Sequence, residues 1–406
     1  MKKTYYKLIL IILVISTFPF LLRYFLINKK ISFLNNIYFK SPAIITNEKK
    51  CNNYDELLEK KLDSSFSVTI IKNGSLISSH NQDKLKVPAS NQKLFSSAYV
   101  LSKYKINNNL RTRLIKGRNN EYYLIGKGDP DLSYSDIYKL ISYIKYNKNI
   151  NINILEINSK YYWPKGWTKT DKIYEYGAPI TTLAIESNSK NYDNIFTLNN
   201  LIEKYLKDKY PSSNIKINNL DFNKLFYLRN TKEIYSIYSN PIVSLLTLAN
   251  AESHNFTAES LFKNASNTWN KKTYDELKNW LRIKGLPTSN TNFADASGLS
   301  RENKVTTKLI ALFLEKMRYS KDFKTYQSSL SVLGVRGTLA NKLKDSQLAG
   351  NFFGKTGTLS NVYALSGYLY KDKEPIIISI IQNSEYIDKN KAFNLLSEIY
   401  KLEKCK

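Results

Sequence analysis

The stretch Pro88–Val100, PASNQKLFSSAYV, decides how this chain is read. Ser90 and Lys93 stand three apart, so on a helix they share one face, a turn from each other. A serine hydroxyl becomes a nucleophile when a base lies within hydrogen-bond reach, and a partly desolvated lysine amine can be that base. Upstream, Val68-Thr69-Ile70-Ile71 and Ser75-Leu76-Ile77 flank Lys72-Asn73-Gly74, a hairpin pattern with Asn-Gly at its turn. Pro88 suits the position just ahead of a helix start. Leu94, Phe95, Ala98, Tyr99 and Leu101 then continue the pattern of a buried helix, whose positive end would favour a nucleophile placed there.

The spacing alone proves little in a chain rich in Ser and Lys. Ser102/Lys105, Ser187/Lys190, Ser213/Lys216 and Ser260/Lys263 share it. Other parts of the chain must distinguish Ser90.

Working outward, 406 residues allow two or three domains, and 42% hydrophobic with 13% aromatic content indicates a globular protein, not a disordered one. The formal charge of +27 is carried mainly by Lys, in a composition also rich in Asn, Ile and Tyr. There is no Arg-rich run or basic helix of the nucleic-acid type, so the charge reads as compositional bias and no nucleic-acid partner is expected. Lys2, Lys3 and Lys7 precede an apolar run from Leu8 to Leu22 that resumes after Arg23 through Ile27. Residues 1–30 are therefore read as an export signal or membrane anchor, the anchor preferred because no small-x-small cleavage site follows. Two cysteines, Cys51 and Cys405, leave a disulfide and two unrelated thiols equally open. His80 and His254 are the only histidines, and without a Cys/His cluster no zinc site is expected.

Arg111–Leu124 reads as strand, Gly126-Lys127-Gly128-Asp129-Pro130 as a turn, and Asn149–Ile157 as a period-2 strand. Asn191–Asn230 is consistent with a small α/β region. From Pro241 the pattern turns helical, and Ser253-His254-Asn255 falls between two helical stretches, where a hydroxyl and an amide can both point into a cleft. Lys355-Thr356-Gly357-Thr358 opens an extended stretch. Lys355 brings a fixed positive charge for a substrate carboxylate, and Gly357 lets a substrate approach the strand backbone closely. Val362–Tyr370 and Ile376–Ile381 supply further strands, and Lys391–Glu403 is an amphipathic helix.

Ser-x-x-Lys, Ser-x-Asn and Lys-Thr-Gly, in that order, form the signature set of penicillin-binding proteins and serine β-lactamases. Here they are Ser90/Lys93, Ser253/Asn255 and Lys355/Thr356/Gly357. PASNQKL, GKGDPDL (126–132), YGAP (176–179), DASGLSRENKVT (295–306), GVRGTL (334–339) and GKTGTLSNVYALSGYL (354–369) more closely resemble the D-alanyl-D-alanine carboxypeptidase/endopeptidase family, the low-molecular-mass class C penicillin-binding proteins. These matches run from about Ser67 to the C-terminus.

The resemblance implies an α/β (α+β) fold, the transpeptidase-type or β-lactamase-like sandwich with a five-stranded antiparallel sheet. It would be assembled from residues 48–105 and 237–406, with a smaller domain, 106–236, inserted between the first and second motifs. It also implies acyl transfer without metal or cofactor: Ser90 attacks the carbonyl between two D-alanines with Lys93 as base. Backbone N–H groups of Ser90 and Thr358 form the oxyanion hole. Ser253 and Asn255 relay the proton to the leaving amine and hold the substrate amide, while Lys355, Thr356 and Thr358 receive the terminal carboxylate. Peptidoglycan stem peptides are the implied substrate, β-lactams the covalent inhibitors, and the periplasm or outer face of the cytoplasmic membrane the location. His254 stands where Asp is commoner in the family and is read as a structural or solvated histidine, while Asp129, Asp295 and Ser297 are read as structural. Ala296 replaces a usual Gly. The alternatives are a β-lactamase, for which no Glu-x-x-Leu-Asn context is found, and a non-catalytic peptidoglycan-binding scaffold, which intact Ser90, Lys93, Asn255 and Lys355 argue against.

Overall fold

Asn73 and Gly74 both take positive φ (48° and 74°), the backbone that a two-residue hairpin turn requires. They join β1 (Phe66–Lys72) to β2 (Ser75–His80). The computed structural model describes residues 51–118, 120–189, 194–221, 231–272 and 274–402. The N-terminal segment 1–30, Cys405 and Glu403 lie outside the described residues. The remaining strands, in chain order, are β3 (Asn109–Lys116), β4 (Glu121–Ile125), β5 (Asn149–Glu156), β6 (Asn214–Asp221), β7 (Lys232–Pro241), β8 (Ser331–Val332), β9 (Phe352–Leu359), β10 (Val362–Leu369) and β11 (Ile376–Asn383).

They form two sheets. The first is antiparallel throughout, in the order β2-β1-β11-β10-β9-β8. It has six strands where five were expected. The sixth, β8, is two residues long and joins the sheet through Phe353 and Gly354 of β9, too short to leave a periodic signal in the sequence. One face carries Val68, Ile70, Leu365, Ile378 and Ile380 against the helices Asn52–Lys61 and Lys389–Lys401. Each fully buried aliphatic side chain there contributes about 1.5–3 kcal/mol. The opposite face carries a cross-strand row of small polar side chains ending in a lysine: Thr69, Ser379, Ser366 and Lys355, all fully buried. Small side chains let the helix Thr307–Arg318 pack closely, with Thr69 Oγ1 donating to Thr307 Oγ1 at 2.9 Å and Tyr368 Oη donating to the Leu314 carbonyl at 2.9 Å.

The second sheet, order β6-β5-β4-β3-β7, is mixed: β4, β5 and β6 are parallel, while β3 is antiparallel to β4 and β7. Parallel neighbours need crossovers, and the helices Tyr134–Ser142 and Asn194–Lys209 lie between β4 and β5 and between β5 and β6. Ser133 caps the first through a capping box with Asp136. The Asn/Ile alternation of β5 places Ile150, Ile152 and Ile154 among Ile137, Leu140, Ile141, Leu198 and Ile202. Arg111–Leu124 is two strands, not one. Gly117 and Asn120, the latter at φ 59°, belong to the hairpin connection that reverses the chain between them.

The other face of this sheet closes a second apolar cluster in which Ile125, Leu155, Trp167 and Ile180 meet Phe256, Trp269 and Leu299. The turn Gly126–Pro130 abuts the helix Asn255–Ser266: at Gly128 (φ 65°) a β-carbon would stand 2.9 Å from the Ser260 β-carbon. Cys51 is buried and disulfide-bonded. Among the described residues, no helix is long and apolar enough to cross a membrane.

Candidate active site

Ser90 sits in the 3-10 turn Ala89–Asn91, which runs directly into the helix Gln92–Lys103. Every residue from Gln92 to Leu101 is buried, so this helix has no solvent face in its first three turns. Ala89 holds a positive φ of 46°. An alanine rarely adopts that backbone unless its surroundings impose it, and here two glycines press on the turn. Gly298 (φ 87°) approaches so closely that a β-carbon would stand 1.9 Å from the Ala89 carbonyl oxygen, and one on Gly357 would stand 2.9 Å from the Ser90 nitrogen. The close approach at Gly357 is thus made by the Pro88–Ser90 turn.

The Lys93 Nζ lies 3.1 Å from Ser90 Oγ and donates to Asn255 Oδ1 at 2.6 Å and the Ser297 carbonyl at 2.7 Å. The side chain is fully buried. Burial lowers its pKa to about 7 against the opposing pull of the Asp295 and Glu259 carboxylates. At neutral pH a substantial fraction of this amine is therefore unprotonated beside the Ser90 hydroxyl. Ser260/Lys263 shows the contrast: Ser260 donates to the Thr257 carbonyl and Lys263 to the Lys271 carbonyl, without bonding each other.

The second motif follows the helix Ile242–Asn250. Ser253 takes φ 63°, which turns the chain before the helix Asn255–Ser266 begins. His254 caps that helix, its Nδ1 accepting from the Thr257 nitrogen at 3.4 Å. Burial and the nearby Lys93 charge lower the His254 pKa to about 4, so the ring is neutral at physiological pH. Asn255, the first residue of the helix, donates its Nδ2 to the Tyr176 carbonyl at 2.9 Å, which leaves Oδ1 for Lys93.

The third motif lies on β9. Lys355 Nζ donates to Ser253 Oγ at 2.9 Å and to the Thr356 carbonyl at 3.0 Å, and the Lys355 carbonyl accepts from Asn91 Nδ2 at 3.1 Å. Burial, reinforced by the Lys93 charge, holds Lys355 well below the usual lysine pKa. Thr358 is exposed further along the strand, paired with Tyr363 of β10. Thr356 Oγ1 lies 2.7 Å from Thr338 Oγ1, contributed by the GVRGTL segment.

The three motifs therefore meet, through Lys93–Asn255, Asn91–Lys355 and Lys355–Ser253. Sequence reasoning did not single out Tyr176, Thr338 or Tyr274, and it considered Glu259 only as a deacylating base, set aside because it lies outside a Glu-x-x-Leu-Asn context. Tyr176 acts through its backbone carbonyl, which no side-chain pattern reveals. Thr338 and Tyr176 did fall inside quoted segments. Asp295, expected to brace its loop, accepts from Trp167 Nε1 (2.9 Å), the Gly298 and Ser300 nitrogens (2.7 and 2.6 Å) and Asn303 Nδ2 (2.7 Å).

A serine hydrogen-bonded to a buried lysine, a Ser-x-Asn turn and a Lys-Thr-Gly strand on a two-sheet α/β frame define a penicillin-binding-protein or β-lactamase-like protein. The chain belongs to the D-Ala-D-Ala carboxypeptidase 3 (S13) family, whose profile matches residues 52–195 and 193–404. It is similar to the D-alanyl-D-alanine carboxypeptidase DacB of Haemophilus influenzae, 31% identical over 139 residues, which cover 32% of this chain and 29% of that protein. It also resembles the D-alanyl-D-alanine carboxypeptidase of Actinomadura sp., 36% identical over 104 residues, or 24% of this chain and 19% of that one. The alignments thus span less than a third of these two relatives. The fold is similar to the crystal structure of penicillin binding protein 4 (dacB) from Haemophilus influenzae, with a TM-score of 0.70 and 19% identity over 86% of this chain and all of that one.

Proposed function

We propose that the protein is a serine-type D-Ala-D-Ala carboxypeptidase/endopeptidase that acts on peptidoglycan stem peptides or cross-links and is acylated by penicillin. The observation that carries this reading is the buried Lys93 amine, 3.1 Å from Ser90 Oγ and held by Asn255 and the Ser297 carbonyl. Ser90 Oγ attacks the carbonyl carbon between the two D-alanines as its proton passes to Lys93 Nζ. The N–H groups of Ser90 and Thr358 stabilise the oxygen that gains charge. The carbon–nitrogen bond then breaks. Ser253, hydrogen-bonded to Lys355, relays the proton taken up by Lys93 on to the departing amine, and water then releases the acyl group as one of its protons returns to Ser90 Oγ. Thr356 and Thr358, backed by Lys355, receive the terminal carboxylate, and Asn255 holds the substrate amide. None of these steps calls for a metal or cofactor.

Glu259 does not serve as a deacylating base in this reading. Its oxygens are occupied by the Ala296 and Ser297 nitrogens and by Tyr274, and it is fully buried. The penicillin adduct should therefore be long-lived, as in a penicillin-binding protein and unlike a β-lactamase. We further propose that the protein works outside the cytoplasm, held by an N-terminal anchor in residues 1–30. Residues 106–236 are read as a domain inserted into a catalytic domain of 48–105 and 237–406; the second sheet and its own apolar cluster support a separate unit there, with β7 (Lys232–Pro241) carrying its C-terminal edge past residue 236.

The test is labelling of the purified protein with a fluorescent penicillin beside Ser90→Ala. Stable labelling that vanishes in the variant supports the reading, and digestion of stem peptides and cross-linked dimers then separates the two activities. A folded wild type that takes no label overturns it, and rapid release of hydrolysed drug would indicate a β-lactamase.

A further inference from the structure

Three successive peptide groups between Asp295 and Gly298 share one orientation between two buried layers. Their carbonyls face the Ser90 helix: Asp295 O accepts from Gln92 Nε2 at 3.2 Å, Ala296 O from Ser96 Oγ at 2.7 Å, and Ser297 O from Lys93 Nζ at 2.7 Å. Their N–H groups face carboxylates. The Ala296 and Ser297 nitrogens donate to Glu259 Oε1 at 2.9 and 2.8 Å, and the Gly298 nitrogen donates to Asp295 Oδ1 at 2.7 Å. Tyr274 Oη donates to Glu259 Oε2 at 2.6 Å. Glu259, Asp295 and Lys93 are all fully buried. A negative charge at the N–H end of a peptide makes its carbonyl a stronger acceptor, and at low dielectric such polarisation is not screened away.

We propose, resting on the acyl-transfer reading above, that Glu259 is a positioning residue for Lys93. It fixes the nitrogen side of Ser297, whose carbonyl receives the amine. With Asp295 it supplies the negative field that sets the pH at which that amine is free to take the Ser90 proton.

The charged and titratable groups around this unit come from several elements. On the Lys93 side these are Lys355 of β9 and His254 at the start of the helix Asn255–Ser266, neither of which favours a second positive charge. On the Glu259 side these are Asp295, Tyr274 and Lys263, the last one helical turn away. Burial and Asp295 raise Glu259 to about 7, while the Tyr274 and Ser297 hydrogen bonds oppose that rise. Every contact described for the Glu259 carboxylate is a donor, which favours its ionised form.

Glu259→Gln tests this, because glutamine keeps the shape: its oxygen can accept the two backbone N–H groups and its amide can donate to Tyr274 Oη. The second-order rate of penicillin acylation is measured against pH in the full chain, alongside thermal stability. Removing the negative charge makes protonated Lys93 less favourable. The midpoint of the ascending limb should therefore move to lower pH by about half a unit or more, with Ser90 still the labelled residue. An unmoved midpoint in a folded Glu259→Gln protein overturns the proposal and leaves Glu259 a purely structural residue. Should that variant not fold, Tyr274→Phe is used. Loss of the phenol donor favours neutral Glu259, so the midpoint should move in the same direction by a smaller amount, and an unmoved midpoint again overturns the proposal. A wild type that takes no label would defeat the acyl-transfer reading itself, so the two failures are distinguishable.

Discussion

A β-carbon on Gly357 would stand 2.9 Å from the backbone nitrogen of Ser90, with the Pro88 carbonyl oxygen equally close. The Lys-Thr-Gly strand is therefore seated directly on the turn that carries the nucleophile, and any side chain at 357 must push the two apart. Gly357→Ala should lower the penicillin acylation rate about 100-fold or more, since small displacements of a reacting group have effects of that order. The overpacking should cost about 1–3 kcal/mol of stability. Acylation kinetics with a urea melt check both. A variant with unchanged kinetics would contradict the arrangement of β9 and the Ser90 turn.

The pH dependence of acylation follows from Lys93. Burial lowers its pKa to about 7, and the unprotonated amine is the form that can accept the Ser90 proton. The rate should rise with pH through about 7 and then level. A stopped-flow or gel-based profile between pH 5 and 9 measures it. A rate that rises only above pH 9, as for an ordinary lysine, would exclude this amine as the base.

Ser253 combines a positive φ with a hydroxyl that accepts from Lys355 at 2.9 Å. Ser253→Gly removes the hydroxyl while relieving the backbone, and Ser253→Ala removes it while keeping the strain. Both should acylate about 100-fold more slowly, but the glycine variant should be the more stable, by about 0.4–1 kcal/mol offset in part by chain entropy. Equal rates in wild type and Ser253→Gly would remove Ser253 from the chemistry.

Trp167 Nε1 donates to Asp295 Oδ2 at 2.9 Å, linking the segment that follows β5 to the loop behind Lys93. Trp167→Phe takes one donor from a fully buried carboxylate. It should destabilise the protein by about 1–3 kcal/mol, read from denaturant melts with the slope unchanged. A stability loss below about 0.5 kcal/mol would show that the remaining donors to Asp295 suffice.

Much of this architecture could be read from local pattern. The β1–β2 hairpin was visible because Asn-Gly supplies the positive φ that its turn demands, and β5 because its Asn/Ile alternation matches a half-buried strand. The six-stranded sheet was misread by one strand because β8, at two residues, is too short to carry a period. Arg111–Leu124, read as strand, is two strands, and the polar run that begins at Lys116-Gly117 and ends at Glu121 is the signal in the sequence that separates them.

The candidate site was legible where a motif is short and its residues are adjacent, as in Ser90/Lys93, Ser253/Asn255 and Lys355–Thr358. The sequence by itself determined these spacings, because residues three apart on a helix, or flanking one turn, are held together by backbone geometry alone. Tertiary structure decided that the Lys93 amine reaches the Ser90 hydroxyl in a setting where it can act as a base. An amine loses its proton near neutral pH only when it is withdrawn from water and surrounded by chosen partners. For Lys93 those partners are Asn255, 162 residues away, and Ser297, 204 residues away. Lys263 is also buried and lowered to about 8, but its amine donates to the Lys271 carbonyl and Ser260 to the Thr257 carbonyl, so only the folded chain distinguishes Ser90/Lys93 from Ser260/Lys263.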